Sequence, residues 1–263
     1  MYDCFLFLNE IDVLKFRLNN HSPFVKKFVI LESNTTFTGQ ERELQFHKHK
    51  KQFDNYSIDY YIYDGKTKKF SHPMEMEIDQ RNFLKTCTES SGIMDYDNLM
   101  ISDVDEIYDT SKLKDLLQEQ SDRPIRGFLH HNEYYANLFS TKSWVGPWIG
   151  KYHKRLQFQL TRDIISEPIS QQIKSKYKLI NKFCGFHLSS LYGNDFKKFI
   201  YKMKSYSHAL QDNHKKYKSW NNIDYINHIK DKILNNELKI DNDRMSKYWI
   251  KNKKYIYDEK GRL

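Results

Sequence analysis

The chain is poor in the residues that staple or punctuate a fold: its 263 residues include only three cysteines, nine glycines and five prolines. Cys4, Cys87 and Cys184 are far apart and form no CxxC pair, so neither a disulfide framework nor a cysteine zinc site follows. A reducing compartment is the simpler reading. No stretch is rich enough in Gly, Ser or Pro to mark a linker, and no repeat is present, so one domain is expected. No apolar run approaches the ~18 residues that a membrane span needs. The opening segment, MYDCFLFLNEIDVLKF, is interrupted by Asp3, Asn9, Glu10 and Asp12 and lacks a basic leader. It reads as a first strand, not a signal peptide, and a cytoplasmic or otherwise soluble protein is expected.

Aromatic residues, in contrast, make up 15% of the chain, which excludes a disordered polypeptide. The net charge of +9 has two readings. Its lysines are spread over Lys48–Lys51, Lys66–Lys69, Lys197–Lys198, Lys215–Lys216 and Lys251–Lys254, and richness in Lys, Asn, Ile and Tyr is also what an AT-rich genome encodes. An anionic partner or substrate is the other reading. No RNP-like or zinc-knuckle pattern accompanies the charge, so a nucleic-acid partner is not expected.

Hydrophobic patterning alternates strands with helices. YDCFLFL is a buried strand, and Asn9 stands where an N-cap is expected for a helix carrying Ile11, Leu14 and Leu18. KKFVILES (26–33) is continuous enough to be covered on both faces, as in a parallel sheet. A short helix near 44–50 and a third strand at 57–64 follow. Pro73 fits the first turn of a helix reaching about Ser90. That helix should pack on two sides, through Met76, Phe83 and Cys87 and through Met74, Ile78 and Leu84. Arg81 on it is a partly buried charge that needs a partner. NLMIS (98–102) is a fourth strand, and Asp109 or Thr110 caps a helix with Leu113, Leu116 and Leu117. This order implies an α/β protein, with a mixed sheet and helices on both faces. Beyond Pro124 come aromatic strands, a Gly/Pro-broken loop at 144–158, a short strand and turn at 183–193, an amphipathic helix from Asn194 to Leu210 and another over 222–235. The basic tail reads as peripheral.

One cluster carries the chemistry. MISDVDEIYD (100–109) places Asp103, Asp105 and Glu106 at a strand end, where ligands bind in open α/β sheets. Alternation puts both aspartates on one side of an extended chain. Two such carboxylates repel, and a hard divalent cation removes the conflict. A solvated turn leading into a helix is the competing reading of that spacing.

A strand ending in DxD between an α/β half and an aromatic half resembles a nucleotide-sugar glycosyltransferase of the GT-A type. Several segments are similar to glycosyltransferase family 17, known for β-1,4-mannosyl-glycoprotein β-1,4-N-acetylglucosaminyltransferases. They are YDCFLFLNEIDVLKFRLN, FVILESNTTFTG, QRNFL, LMISDVDEI, CGFHLSSLYG and KMKSYSH, in that family's order over roughly residues 2–210. Phe186 stands where the family usually has Trp. No membrane anchor or stem is recognisable, so a bacterial or viral enzyme acting on a different glycan fits as well as one acting on N-glycans.

The resemblance implies a single GT-A-like (Rossmann-like) domain. Residues 1–122 would form its nucleotide-sugar half, 123–212 its acceptor and catalytic half, and 213–263 a helical extension. It implies a UDP-sugar donor, with GlcNAc as the sugar, a glycan acceptor and Mn²⁺ or Mg²⁺. Asp103 and Asp105 would bind the metal, Asp103 also facing the donor, with His187 completing the shell or touching the diphosphate. Glu106 would orient them from behind, or else be a first-turn helix carboxylate. Glu32 would contact the nucleoside beside Thr35, Thr36 and Gly39. Arg81 and Asn82 would face the donor or brace the DxD loop, Arg81 alternatively through an ion pair to Asp103 or Glu106. Lys204 and His208 would neutralise the departing phosphate, or lie on a solvated helix edge. An inverting transfer needs a base, and Glu133, Asp163 and Glu167 are the candidates. Glu133 is favoured because it interrupts an aromatic strand. Tyr134, Tyr135, Trp144 and Trp148 are acceptor-stacking or core aromatics. A nucleotidyltransferase or phosphohydrolase using the same carboxylates is the rival function, and a basic nucleic-acid-binding protein a more distant one.

Overall fold

The computed structural model describes residues 1–119, 121–161, 176–211 and 216–258. Its first third is the expected alternation: β1 (Tyr2–Phe7), α1 (Ile11–His21), β2 (Lys27–Ser33), α2 (Gln45–His49), β3 (Ile58–Tyr63), α3 (Pro73–Ser90) and β4 (Asn98–Asp103). Then follow β5 (Glu106–Tyr108), α4 (Thr110–Gln118), β6 (Ile125–Glu133), β7 (Leu138–Val145), β8 (Trp148–Lys151) and β9 (Lys178–Ser189). The C-terminal part holds α5 (Phe196–Ser205), α6 (Asn222–Leu234), β10 (Leu238–Ile240) and α7 (Lys247–Ile250).

The ten strands form one mixed sheet, ordered β10-β7-β6-β8-β4-β1-β2-β3, with β9 beside β6 and β5 beside β9. β3, β2, β1 and β4 run parallel. Beyond them β8, β7 and β10 pair antiparallel with their neighbours. The inner parallel strands, β1, β2 and β4, are largely apolar because both faces are covered, whereas the edge strand β3 is only half-buried. Cys4, Val29, Leu31 and Ile101 meet Met76, Leu84 and Cys87 of α3 on one face. Phe5, Phe28 and Ile30 meet Leu14 and Leu18 of α1 and Phe46 of α2 on the other. This α/β sheet with helices on both faces is the architecture expected of a GT-A-like domain. No described helix is long and apolar enough to cross a membrane.

Four local expectations are corrected. Helix α1 starts one residue late for Asn9 to cap it: Glu10 holds the cap position without a side-chain cap bond, and its carboxylate accepts from the Asn9 N–H. Helix α3 packs on one side only, with Ile78 and Phe83 exposed, because Met76, Arg81, Leu84 and Cys87 share the face on the sheet. Helix α5 stops at Ser205, leaving Leu210 exposed, and Ile223 of α6 is exposed as well. The tail, finally, is structural as far as Asp258. Trp249 and Tyr255 are buried against Val13, Phe16, Ile107 and Leu188, and the Tyr255 hydroxyl donates to Asp12 at 2.6 Å. The tail backbone passes so near Gly193, at φ +54°, that a Cβ there would lie 1.9 Å from the Lys254 carbonyl oxygen.

Candidate active site

The DxD segment is a turn held from below by a buried guanidinium. β4 ends at Asp103, the chain turns through Val104 and Asp105, and β5 returns antiparallel to β9. Arg17 of α1 donates to the carbonyls of Asp103 at 2.9 Å and Glu106 at 2.8 Å, and to Ser102 Oγ at 2.6 Å. It is ion-paired with Asp3, and both side chains are fully buried. Burial alone would push the Asp3 carboxyl up, but Arg17 and His21 outweigh it and hold the carboxyl below its ordinary range. Glu106 is the first residue of a strand, not of a helix. Its fully buried carboxylate accepts from the Asp103 N–H at 3.2 Å and from Trp144 Nε1 at 2.8 Å. It therefore fixes the turn from behind.

Above the turn lies a cleft of about 600 Å³, lined from the ends of β1 and β2, from α3, from β6 and β9, and from α5. Asp103 reaches it with its side chain 37% exposed, its Oδ1 2.8 Å from Arg81. Arg81 also holds Glu77 at 2.7 Å, which supplies the partner that its burial demands. Asp105 is buried, and desolvation pushes its carboxyl up to about 7. Lys202 of α5 opposes that shift, while Asp103, Glu10 and Glu106 add to it. The Lys202 ammonium stands 3.5 Å from Asp105 and 3.7 Å from Glu10. Burial lowers its affinity for a proton, but these carboxylates overcome that and raise it. His187 faces Asp105 across 3.7 Å because Glu106 and His187 are register partners in the β5–β9 pair. Its ring packs against Trp144, 4.0 Å away, and His131, 4.8 Å away, and those two rings also meet at 5.3 Å. Burial, with His187 adding to it, brings His131 down to about 3.

The donor set is thus two carboxylates and an imidazole. No group of three or more metal-ligating side chains is already gathered in binding geometry among the described residues. The chemistry of the set nevertheless fits a hard divalent cation. Asp105 is charged at neutral pH only against the cost of its burial, and Lys202 offsets that cost in part.

Of the remaining expected site residues, Thr35, Thr36, Glu133 and His208 line the cleft. Glu133 is ion-paired with Lys232 of α6. Glu32 does not reach the cleft: its fully buried carboxylate is taken up by Arg42, by the Gln45 and Phe46 N–H groups that open α2, and by the Tyr60 hydroxyl. Gly39, at φ +81°, closes the turn after Thr36 and is not on the cleft wall. Asn82 and Lys204 are exposed and point away, and the Lys204 carbonyl accepts from the Thr38 hydroxyl. Tyr134 and Trp144 line the cleft, whereas Tyr135 and Trp148 are buried outside it. Asp163 and Glu167 lie outside the described residues.

Three contributors escape a reading by pattern. Lys202 sits on the stripe of α5 that also carries Phe199 and Met203, and a cation on the apolar face of so amphipathic a helix is the signal that could have found it. Arg17 is likewise flanked by Phe16 and Leu18 on the buried face of α1, opposite a lone strand carboxylate, Asp3. His131 shares one side of β6 with Glu133 and is the β9 register partner of His187.

With this geometry established, two comparisons bear on the chain. A family model described as glycosyltransferase family 17 matches residues 1–235. No curated protein matches the chain.

Proposed function

The chain belongs to glycosyltransferase family 17, and on that premise we propose that it moves a sugar, GlcNAc, from a UDP donor to a glycan hydroxyl with inversion and with a divalent metal. The observation that carries the metal-assisted reading is the Asp103–Asp105 turn in the cleft, with a buried carboxyl pushed up to about 7. Asp103, Asp105 and His187 are the residues that would hold Mn²⁺ or Mg²⁺. When bound, the ion supplies Lewis-acid stabilisation of the leaving diphosphate.

The chain's own residues divide the remaining work. Residues 1–122 supply the donor wall, where Arg81 keeps Asp103 aimed into the cleft and can meet a diphosphate with its planar fork. Lys202, already inside the cleft and ion-paired to Asp105 and Glu10, adds a second positive charge where the departing phosphate develops negative charge. His208 lines the same cavity. Residues 123–212 supply the acceptor wall. Glu133 lies two residues along β6 from His131, about 7 Å up the strand from the level of His187. It is the carboxylate placed to take the proton of an acceptor hydroxyl, with Tyr134 and Trp144 as apolar faces for sugar rings. Lys232, from the 213–263 extension, holds Glu133 in position.

Incubation with UDP-GlcNAc, Mn²⁺ and a glycan panel tests the proposal. Sugar transfer with release of UDP is expected, and it should be abolished in Asp105→Asn. Release of UMP, or transfer of a nucleotidyl group, would overturn it in favour of a nucleotidyltransferase or phosphohydrolase.

A further inference from the structure

The cleft wall carries two side chains that the reaction chemistry leaves unused. Gln80, on α3 one residue before Arg81, is 3% exposed, yet its Nε2 lies buried in the cleft wall with no hydrogen-bond partner among the described residues. Gln159 opens the 3-10 turn Gln159–Thr161, which packs against α3, and its Oε1 on the same cleft is likewise buried without a partner among the described residues. One amide donor and one amide acceptor are therefore both stripped of water in a single cavity. Buried polar groups are nearly always paired, and an unpaired donor and acceptor that share one cavity wall are placed to take a partner from outside the chain. The surroundings are apolar: Leu6 and Phe37 line the cleft and pack against the cluster of Met76, Leu84 and Phe158. The site also lies over the carboxyl ends of β1 and β2, beside the guanidinium that holds Asp103.

We infer that Gln80 and Gln159 read the nucleobase of the donor, with Gln80 Nε2 donating to a ring carbonyl and Gln159 Oε1 accepting from the adjacent ring N–H, as the O4 and N3–H of uracil present them. This rests on the nucleotide-sugar reading above and goes further by naming the residues that select the base. A flat, neutral ring satisfies both glutamines at once and offers its faces to Leu6 and Phe37. Its ribose and diphosphate then run past Arg81 toward Asp103, Asp105 and Lys202. A charged or purely aliphatic ligand does not satisfy the pair.

Calorimetric titration of UDP, N3-methyl-UDP and CDP in the presence of Mn²⁺ tests this, on the full chain and on Gln80→Leu and Gln159→Leu. Leucine keeps the volume and removes the amide, so each variant should melt at or above the parent temperature. Each should also bind UDP roughly 10- to 100-fold more weakly, the range for losing one buried hydrogen bond. N3-methyl-UDP should bind the parent as weakly as UDP binds Gln159→Leu, and inorganic pyrophosphate should bind parent and variants alike. UDP binding that both variants retain sinks this assignment alone, as does a parent that prefers CDP, whose base presents the donor and acceptor reversed. A parent that binds none of the three nucleotides sinks the donor reading and this assignment with it.

Discussion

Replacing Arg17 by methionine is the most demanding perturbation of this site, because the residue touches no cleft surface and yet fixes the DxD turn. The Arg17–Asp3 ion pair is fully buried on both sides, so removing the cation leaves a carboxylate in the interior beside the His21 imidazole, 2.9 Å away, with no permanent positive charge against it. Breaking such a pair from one side costs about 3–5 kcal/mol, out of a typical total of about 5–15 kcal/mol. For a chain of this size that corresponds to a fall of about 6–20 °C in melting temperature, at about 2–4 °C per kcal/mol. Urea denaturation at pH 7, followed by circular dichroism, measures the loss. Asp3→Asn combined with Arg17→Met should recover most of it, since no uncompensated charge then remains. The carbonyls of Asp103 and Glu106 lose their donor in both variants, so UDP binding should stay impaired in the double variant although stability returns. A single variant within about 1 kcal/mol of the parent, the level of an ordinary substitution, would refute the reasoning. So would a double variant that binds UDP like the parent.

Three further outcomes follow from the electrostatics. Lys202→Met should fold and lose about tenfold or more in UDP affinity by calorimetry; unchanged affinity would remove Lys202 from the phosphate site. Asp105→Asn should stabilise the protein more at pH 8 than at pH 5. Its folded pKa of about 7 lies above the unfolded value, so the charged, buried form carries its full penalty only above pH 7, and Glu10 still holds Lys202 in the variant. An equal effect at both pH values contradicts this. Lastly, stability should decline as pH falls below about 6.5, the unfolded value for histidine. Burial depresses His21 and His130, and brings His131 to about 3 and His228 to about 4. A depressed group contributes stability above its unfolded pKa and loses it as pH falls. Asp105 and Glu32, both raised by burial, act in the opposite sense but are outnumbered. Urea midpoints at pH 7 and pH 5 measure the balance, and a higher midpoint at pH 5 contradicts it.

The parallel core was legible in the sequence because a strand covered on both faces writes itself as an unbroken apolar run. β1 to β4 therefore fall within about a residue of their expected bounds. The need of Arg81 for a partner was legible for the same physical reason: a helix face that buries a guanidinium must bring an acid to it. Glu32 shows where such reading stops. It stands at a strand end with nothing local to neutralise it, and its partners, Arg42 and the N–H groups that open α2, lie 10 to 14 residues further along the chain. Lys202 and Lys204 differ only in helical phase. Two residues are about 200° around a helix, so one enters the cleft and the other meets solvent. The tail looked peripheral because its lysines are exposed, while Trp249 and Tyr255 between them close the core.

The central claim, that the cleft above Asp103 and Asp105 is a metal-assisted nucleotide-sugar site, is tested most directly by titrating UDP into the protein with and without Mn²⁺, alongside Asp103→Asn and Asp105→Asn. Binding should strengthen with Mn²⁺ in the parent and lose that dependence in both variants. UDP binding that is indifferent both to Mn²⁺ and to either substitution would contradict it.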